Sequence, residues 1–134
     1  MRAKKMKDKA GIYVDLYNMR KLLKRAQFAM SKADRIIYGT PVLVKNGEVL
    51  ADFVLAYDFA DERDKYIRKM CADFEVLKLD LRIIAEDNVL KCPDPENARM
   101  KPETLKIEIF ELVARIDEGI TKWRKSVKGK IAPA

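Results

Sequence analysis

The side chains with the most chemical potential in this chain are cations, and they fall in two sets. Arg20, Lys21, Lys24 and Arg25 repeat at four-residue spacing, which on a helix stacks them into a basic band two turns deep. Lys122, Arg124 and Lys125 form a second set near the C-terminal end. Such groupings do electrostatic chemistry: they displace counterions from a phosphate backbone and hold it without breaking a bond. Residues 2 to 25 carry nine basic and two acidic side chains, or +7, and residues 122 to 130 carry five basic and none acidic, or +5. The whole chain is +7, so the middle is net negative. Two basic ends suit a polyanionic partner; a solubilising surface accounts for the same counts.

Other chemistries are poorly served. The chain has no histidine, which removes Ser/His/Asp and Cys/His catalysis and zinc-finger ligation. Cys71 and Cys92 are its two cysteines. Neither belongs to a pair at metal or redox spacing, and Cys71 reads as a reduced, partly buried thiol. No Gly-rich phosphate loop and no clustered acid/base pattern stands out. The expectation is a non-enzymatic protein with no cofactor and no metal. No run approaches the roughly 20 apolar residues that span a bilayer, and residues 1 to 9 lack the apolar centre of a signal peptide. The chain reads as cytoplasmic, without a membrane partner.

The elements that must carry these cations are helices. Residues 61 to 90 place Ile67, Met70, Phe74, Leu77, Leu81 and Ile84 at alternating steps of three and four, with charge almost everywhere between, so this stretch is one long amphipathic helix in need of partners. Ile12, Leu16, Met19, Leu23, Ala26 and Met30 repeat the pattern from near residue 9. A break is expected at residues 31 to 34, where Ser31 and Asp34 offer caps for a new helix. Thr40 and Pro41 suit the start of the second helix, and Val49, Leu50, Phe53, Val54, Tyr57 and Ala60 keep helical spacing to about Phe59. A hairpin is the rival reading, because Asn46-Gly47 lies between Val42-Leu43-Val44 and Val49-Leu50; a lone hairpin among helices is marginal in water. Residues 92 to 102 read as a loop, since Pro93 and Pro95 lack amide donors. Pro102 then opens a fourth helix with the stripe Leu105, Ile109, Leu112, Ile116 and Trp123. Trp123 reads as a core plug more than a base-stacking platform. Gly119 on the same stripe marks a close helix approach or a fray.

Four helices with seven-residue apolar spacing and short connections predict an all-α, up-down-up-down four-helix bundle in a single domain over residues 1 to 134. Its basic termini, about 1 to 9 and 127 to 134, are expected to be flexible. In that topology the two ends share a pole, which brings Lys4, Lys5, Lys7 and Lys9 near Lys122, Arg124, Lys125 and Lys128. Val76, Leu79, Ile83, Val89, Ile107, Phe110 and Val113 lie off the main stripes, as scattered surface residues or as a subunit interface.

Three short sequences carry a family likeness: Lys32, Arg35 and Gly39 after the first helix, Leu77-Lys78-Leu79-Asp80-Leu81-Arg82 in the third, and Trp123-Arg124-Lys125-Ser126 near the end. With them the chain resembles, over roughly residues 13 to 126, the accessory variability determinant proteins of diversity-generating retroelements. It is similar, more distantly, to the four-helix proteins encoded in intervening sequences of bacterial 23S ribosomal RNA genes. The first resemblance implies a homopentameric barrel that binds nucleic acid, RNA or DNA, and the retroelement's reverse transcriptase, while that enzyme copies a template RNA into mutated cDNA. It also carries the family's paired basic residues onto Lys78 and Arg82. Those two positions are four apart and point the same way, beside the stripe residues Leu77 and Leu81. Local pairing, of Lys78 with Phe74 and of Arg82 with Glu86, is the competing use of them. The second resemblance implies a structural oligomer with no direct nucleic-acid role.

Overall fold

The computed structural model describes residues 11–91 and 101–131, and these are helical apart from short connections. Helix α1 is Gly11–Phe28, α3 is Arg63–Glu86 and α4 is Pro102–Ile131. Helix α2 is composite: a first turn at Lys32–Asp34, a π-helical turn at Arg35–Gly39, and a regular stretch at Thr40–Asp58. Each apolar stripe is buried as its periodicity demands, with Leu16, Met19, Phe53, Ile67, Met70, Phe74, Leu77 and Ile116 all at 1% exposure or less.

The helices run antiparallel around the core. Between α1 and α2, Tyr13 meets Phe53 while Asn46 donates to the Leu16 carbonyl. Between α2 and α3, Lys69 reaches Asp52 while Lys45 reaches Asp73. Between α3 and α4 Lys78 pairs with Asp117, and between α4 and α1 Arg115 pairs with Asp15. Sequence neighbours are thus neighbours in space, α4 closes on α1, and the bundle is up-down-up-down. Phe53 is the aromatic hub of one end, with ring centroids 5.2 Å from Trp123, 5.9 Å from Tyr13 and 6.2 Å from Tyr57. Trp123 is therefore a core plug.

The second helix begins earlier than Thr40. The chain does break after Phe28, and Ser31 caps a new helix by accepting from the Asp34 amide at 3.2 Å, but that helix continues through Pro41. A regular turn there would drive the proline ring into the carbonyl four residues back. The π turn before it widens the backbone: the Thr40 amide bonds to the Arg35 carbonyl, five residues back, and the Thr40 hydroxyl donates to the same oxygen at 3.1 Å. The hairpin reading fails, since no strand occurs among the described residues. Asn46 is instead a fully buried helical residue that bonds to Arg20 and Leu16.

The third helix stops short of Leu90. Asn88 adopts φ 53°, its amide bonds to the Ala85 carbonyl, and the Val89 amide bonds to the Ile84 carbonyl. This is a Schellman stop with asparagine in the left-handed position, and Val89 and Ile84, the two residues the motif brings together, are both buried. At the other end a 3₁₀ turn at Ala60–Glu62 precedes the helix proper. Arg63 covers the end of α2 by donating to the carbonyls of Ala56 at 2.8 Å and Tyr57 at 3.0 Å.

The fourth helix extends to Ile131 with Val127 buried, so residues 127 to 131 belong to it rather than to a tail. The expected N-terminal arm with Lys4, Lys5, Lys7 and Lys9, and the loop containing Pro93 and Pro95, lie outside the described residues. No helix among the described residues is long and apolar enough to cross a membrane.

Candidate nucleic-acid interface

The basic band of α1 does not survive as a unit. Arg20 turns into the α1–α2 seam, where one guanidinium nitrogen donates to the Leu43 carbonyl at 3.1 Å and to Asn46 Oδ1 at 3.3 Å. Lys21 lies 4.7 Å from the centre of the Tyr17 ring. Lys21 and Arg25 also line a shallow groove whose far wall carries Glu108 and Glu111 of α4, so carboxylates offset their charge. Lys24 is exposed. Of the four cations one is structural, two face acidic side chains, and one is left open to solvent.

The seam between α3 and α4 gathers the other candidates. Lys78 is half-buried there, 2.7 Å from Glu75 and 3.1 Å from Asp117, with its ammonium 5.4 Å from the Phe74 ring centre. Burial pulls its pKa down, but the hydrogen bonds to Glu75 and Asp117 outweigh that and leave it raised, so the cation is held in place. Arg82 is exposed one turn further on, and no ion pair engages it among the described residues. Glu75, Lys78 and Arg82 line one hollow with Val76 and Leu79.

Glu75 also borders a second and larger cleft of about 520 Å³, which runs along the same seam past Cys71, Thr121, Arg124, Lys125 and Lys128. The sequence sites Lys78 and Arg82 in the first hollow and Arg124 and Lys125 in the second thus lie in hollows that adjoin at Glu75, whereas the α1 set lies on the helix diagonal to α3. Lys122 points elsewhere and is tied to Glu118 at 2.8 Å. Thr121 and Lys128 were not among the site residues expected from sequence. They stand three residues before and four after Arg124, the helical spacing that puts all three on one side.

Arg124 is the unusual member. Its side chain is half-buried, and its Nε is enclosed without a hydrogen bond. The neighbouring acceptor is the sulfur of Cys71, a weak one. Burial pushes the Cys71 thiol up, and the nearby guanidinium only partly opposes it, so Cys71 is not an activated thiol and reacts slowly.

No group of side chains able to hold a metal ion occurs among the described residues. The arrangement offers three cations, a threonine, the buried apolar side chains of Phe74 and Ile120, and two carboxylates, Glu75 and Asp117, both paired with Lys78. That set can bind and orient an anion. Comparison of the chain with family models, curated proteins and solved structures returned no match.

Proposed function

We propose that this four-helix bundle is a non-enzymatic accessory protein that binds nucleic acid along its α3–α4 face. In keeping with the resemblance at Lys78-Leu79-Asp80-Leu81-Arg82 and Trp123-Arg124-Lys125-Ser126, it serves the reverse transcriptase of a diversity-generating retroelement. The observation that carries the reading is that Lys78 and Arg82 line one hollow, Arg124 and Lys125 a second, and the two adjoin at Glu75. Cations on two adjacent helices track a phosphate backbone better than a single helical band does, and several copies of the face in a homopentameric ring would sum their fields.

Arg82 and Lys125 are the informative positions, because neither has an ion pair to lose among the described residues. Replacing both by Glu is expected to weaken binding to single-stranded RNA or DNA at least tenfold and to flatten its dependence on salt, with helical content unchanged. Binding that is insensitive to salt, or equal in the double variant, contradicts the proposal. Lys78 is a poor first choice, since Glu at that position would face Asp117 and Glu75 and disturb the bundle.

A second reading, a structural oligomer of the intervening-sequence kind, is favoured by a different feature. Val76, Leu79 and Ile83 stand 43%, 52% and 37% exposed on the outer side of α3, and Ile107 of α4 stands 58% exposed. Apolar side chains at helical spacing on an outer face suit a subunit contact. Light scattering of the variant Ile107→Glu, a position outside the hollow of Lys78 and Arg82, separates the two uses: loss of assembly with nucleic-acid binding retained assigns the apolar residues to self-association and the cations to the polyanion.

A further inference from the structure

The cleft between α3 and α4 holds a guanidinium whose placement the bundle itself does not explain. Burying part of an arginine and leaving Nε without an acceptor costs free energy. Elsewhere on this seam the chain satisfies its cation fully, with Lys78 held between Glu75 and Asp117. The same two contacts neutralise the carboxylates that border the cleft. Arg124, Lys125 and Lys128 then stand around it with no carboxylate paired to them among the described residues. Thr121 lines the same cleft, whose volume, about 520 Å³, is that of a small-ligand site.

We infer that this cleft is a seat for a phosphate group, with Arg124 as the donor inside it and Lys125 and Lys128 on its rim. The planar guanidinium matches two oxygens of a tetrahedral anion, and two ammonium groups beside it favour a doubly charged ester over a simple carboxylate. The seat shares Arg124 and Lys125 with the nucleic-acid face and to that extent rests on the reading above. Its chemistry is the same for a backbone phosphate, a strand-end phosphate or a free phosphate ester.

Cys71 reports occupancy, because it lines the cleft against Arg124. The experiment alkylates the intact chain with iodoacetamide at constant ionic strength and follows Cys71 by peptide mass mapping, with Cys92 as the reference thiol. Inorganic phosphate and adenosine monophosphate are expected to slow Cys71 by about threefold or more relative to chloride, as their affinity for the seat dictates, while adenosine does not. In Arg124→Gln the protection is expected to vanish and the Kd for inorganic phosphate to rise about tenfold or more. Equal Cys71 rates in phosphate and chloride overturn the seat in the natural chain, whether or not the variant folds.

Single-stranded oligonucleotides with and without a 5′ phosphate then identify the source. Protection by both assigns backbone phosphate, and protection by the phosphorylated strand alone assigns a strand end. If adenosine monophosphate protects Cys71 but no oligonucleotide binds, the seat stands and the nucleic-acid function falls. If an oligonucleotide binds the natural chain and Arg124→Gln equally and never protects Cys71, the seat falls and the nucleic-acid function stands.

Discussion

Gly119 of α4 and Ile12 of α1 touch so closely that a Cβ on Gly119 would stand 2.8 Å from Ile12 Cγ1. Cγ1 is an inner atom of a buried, β-branched side chain, so it cannot swing clear as the tip of a lysine would. The glycine exists in mid-helix because the two helices need the room.

Gly119→Ala is therefore expected to destabilise the bundle. A helix-interior alanine gains about 1 kcal/mol in propensity, while forcing a methyl group into a filled contact costs about 1–3 kcal/mol. The net expectation is a loss on the order of 1 kcal/mol, read as a lower midpoint in urea unfolding. In an Ile12→Ala background the clash is gone and the same substitution is expected to stabilise. A Gly119→Ala effect of the same sign in both backgrounds would remove the steric account.

The opposite outcome is expected two helices away. A Cβ on Gly47 would meet Arg20 Nη1 at 3.4 Å, an ordinary van der Waals contact. Gly47→Ala should therefore keep most of the propensity gain and stabilise by about 0.5–1 kcal/mol. Its neighbour behaves differently: Asn46→Ala strips the acceptor from Arg20 and the donor from Leu16 and is expected to cost about 1–3 kcal/mol. Thermal melts of the two variants moving in the same direction would sink this pair of expectations.

Asn88 is the third position where backbone decides the outcome. At φ 53° it occupies the left-handed region that ends α3. Asn88→Gly is expected to be neutral or stabilising by a few tenths of a kcal/mol, whereas a β-branched Asn88→Val is expected to lose about 1–2 kcal/mol. Unfolding midpoints that rank valine at or above glycine would show that the stop does not depend on this conformation.

These positions also mark where the sequence could and could not be read. The stripes from Ile12 to Met30, from Val49 to Tyr57, from Ile67 to Ile84 and from Leu105 to Ile116 are spaced by helix geometry alone, so four helices and their core were legible from periodicity. The start of α2 was not, because Pro41 normally opens a helix and only the π turn at Arg35–Gly39 lets one run through it. Asn46-Gly47 carried a turn signature whose real use is tertiary, an amide and a gap that accommodate Arg20. Sequence grouped Arg20 with Lys21, Lys24 and Arg25 by proximity along one helix, yet side-chain partners on α2 and α4 divide them. The α3–α4 cleft joins residues some fifty positions apart, a relation that no local pattern encodes.

The α2–α3 seam makes the bundle's stability depend on pH in a defined direction. Asp52 is 2% exposed, and Oδ1 accepts from Lys69 at 3.0 Å while Oδ2 is enclosed without a donor. Lys69 also holds Asp73 at 2.9 Å, Lys45 stands 3.6 Å from Asp73, and Glu48 pairs with Lys45. Burial, reinforced by the neighbouring Asp73, pushes Asp52 up to about 7, and Lys69 opposes this only in part. A proton on the Asp52 carboxyl lets it donate to Asp73. Burial also pushes Asp73 up, but the hydrogen bonds from Asp52 and Lys69 outweigh it and leave Asp73 lowered. For Asp52 the folded pKa exceeds the unfolded value of 3.8, so its contribution is fully present below about pH 4 and is lost as pH rises through about 7. Asp73 contributes the other way, above about pH 4, and loses that contribution on acidification. Stability should therefore peak near pH 4, where both contributions are largely present, and fall by a few kcal/mol toward pH 8. Asp52→Asn keeps an acceptor for Lys69 and a donor for Asp73 without the titrating charge. It is expected to match the natural chain near pH 4 and to exceed it increasingly from pH 5 to pH 8 in urea unfolding. A difference between the two proteins that stays constant from pH 5 to pH 8 would show that Asp52 does not titrate there.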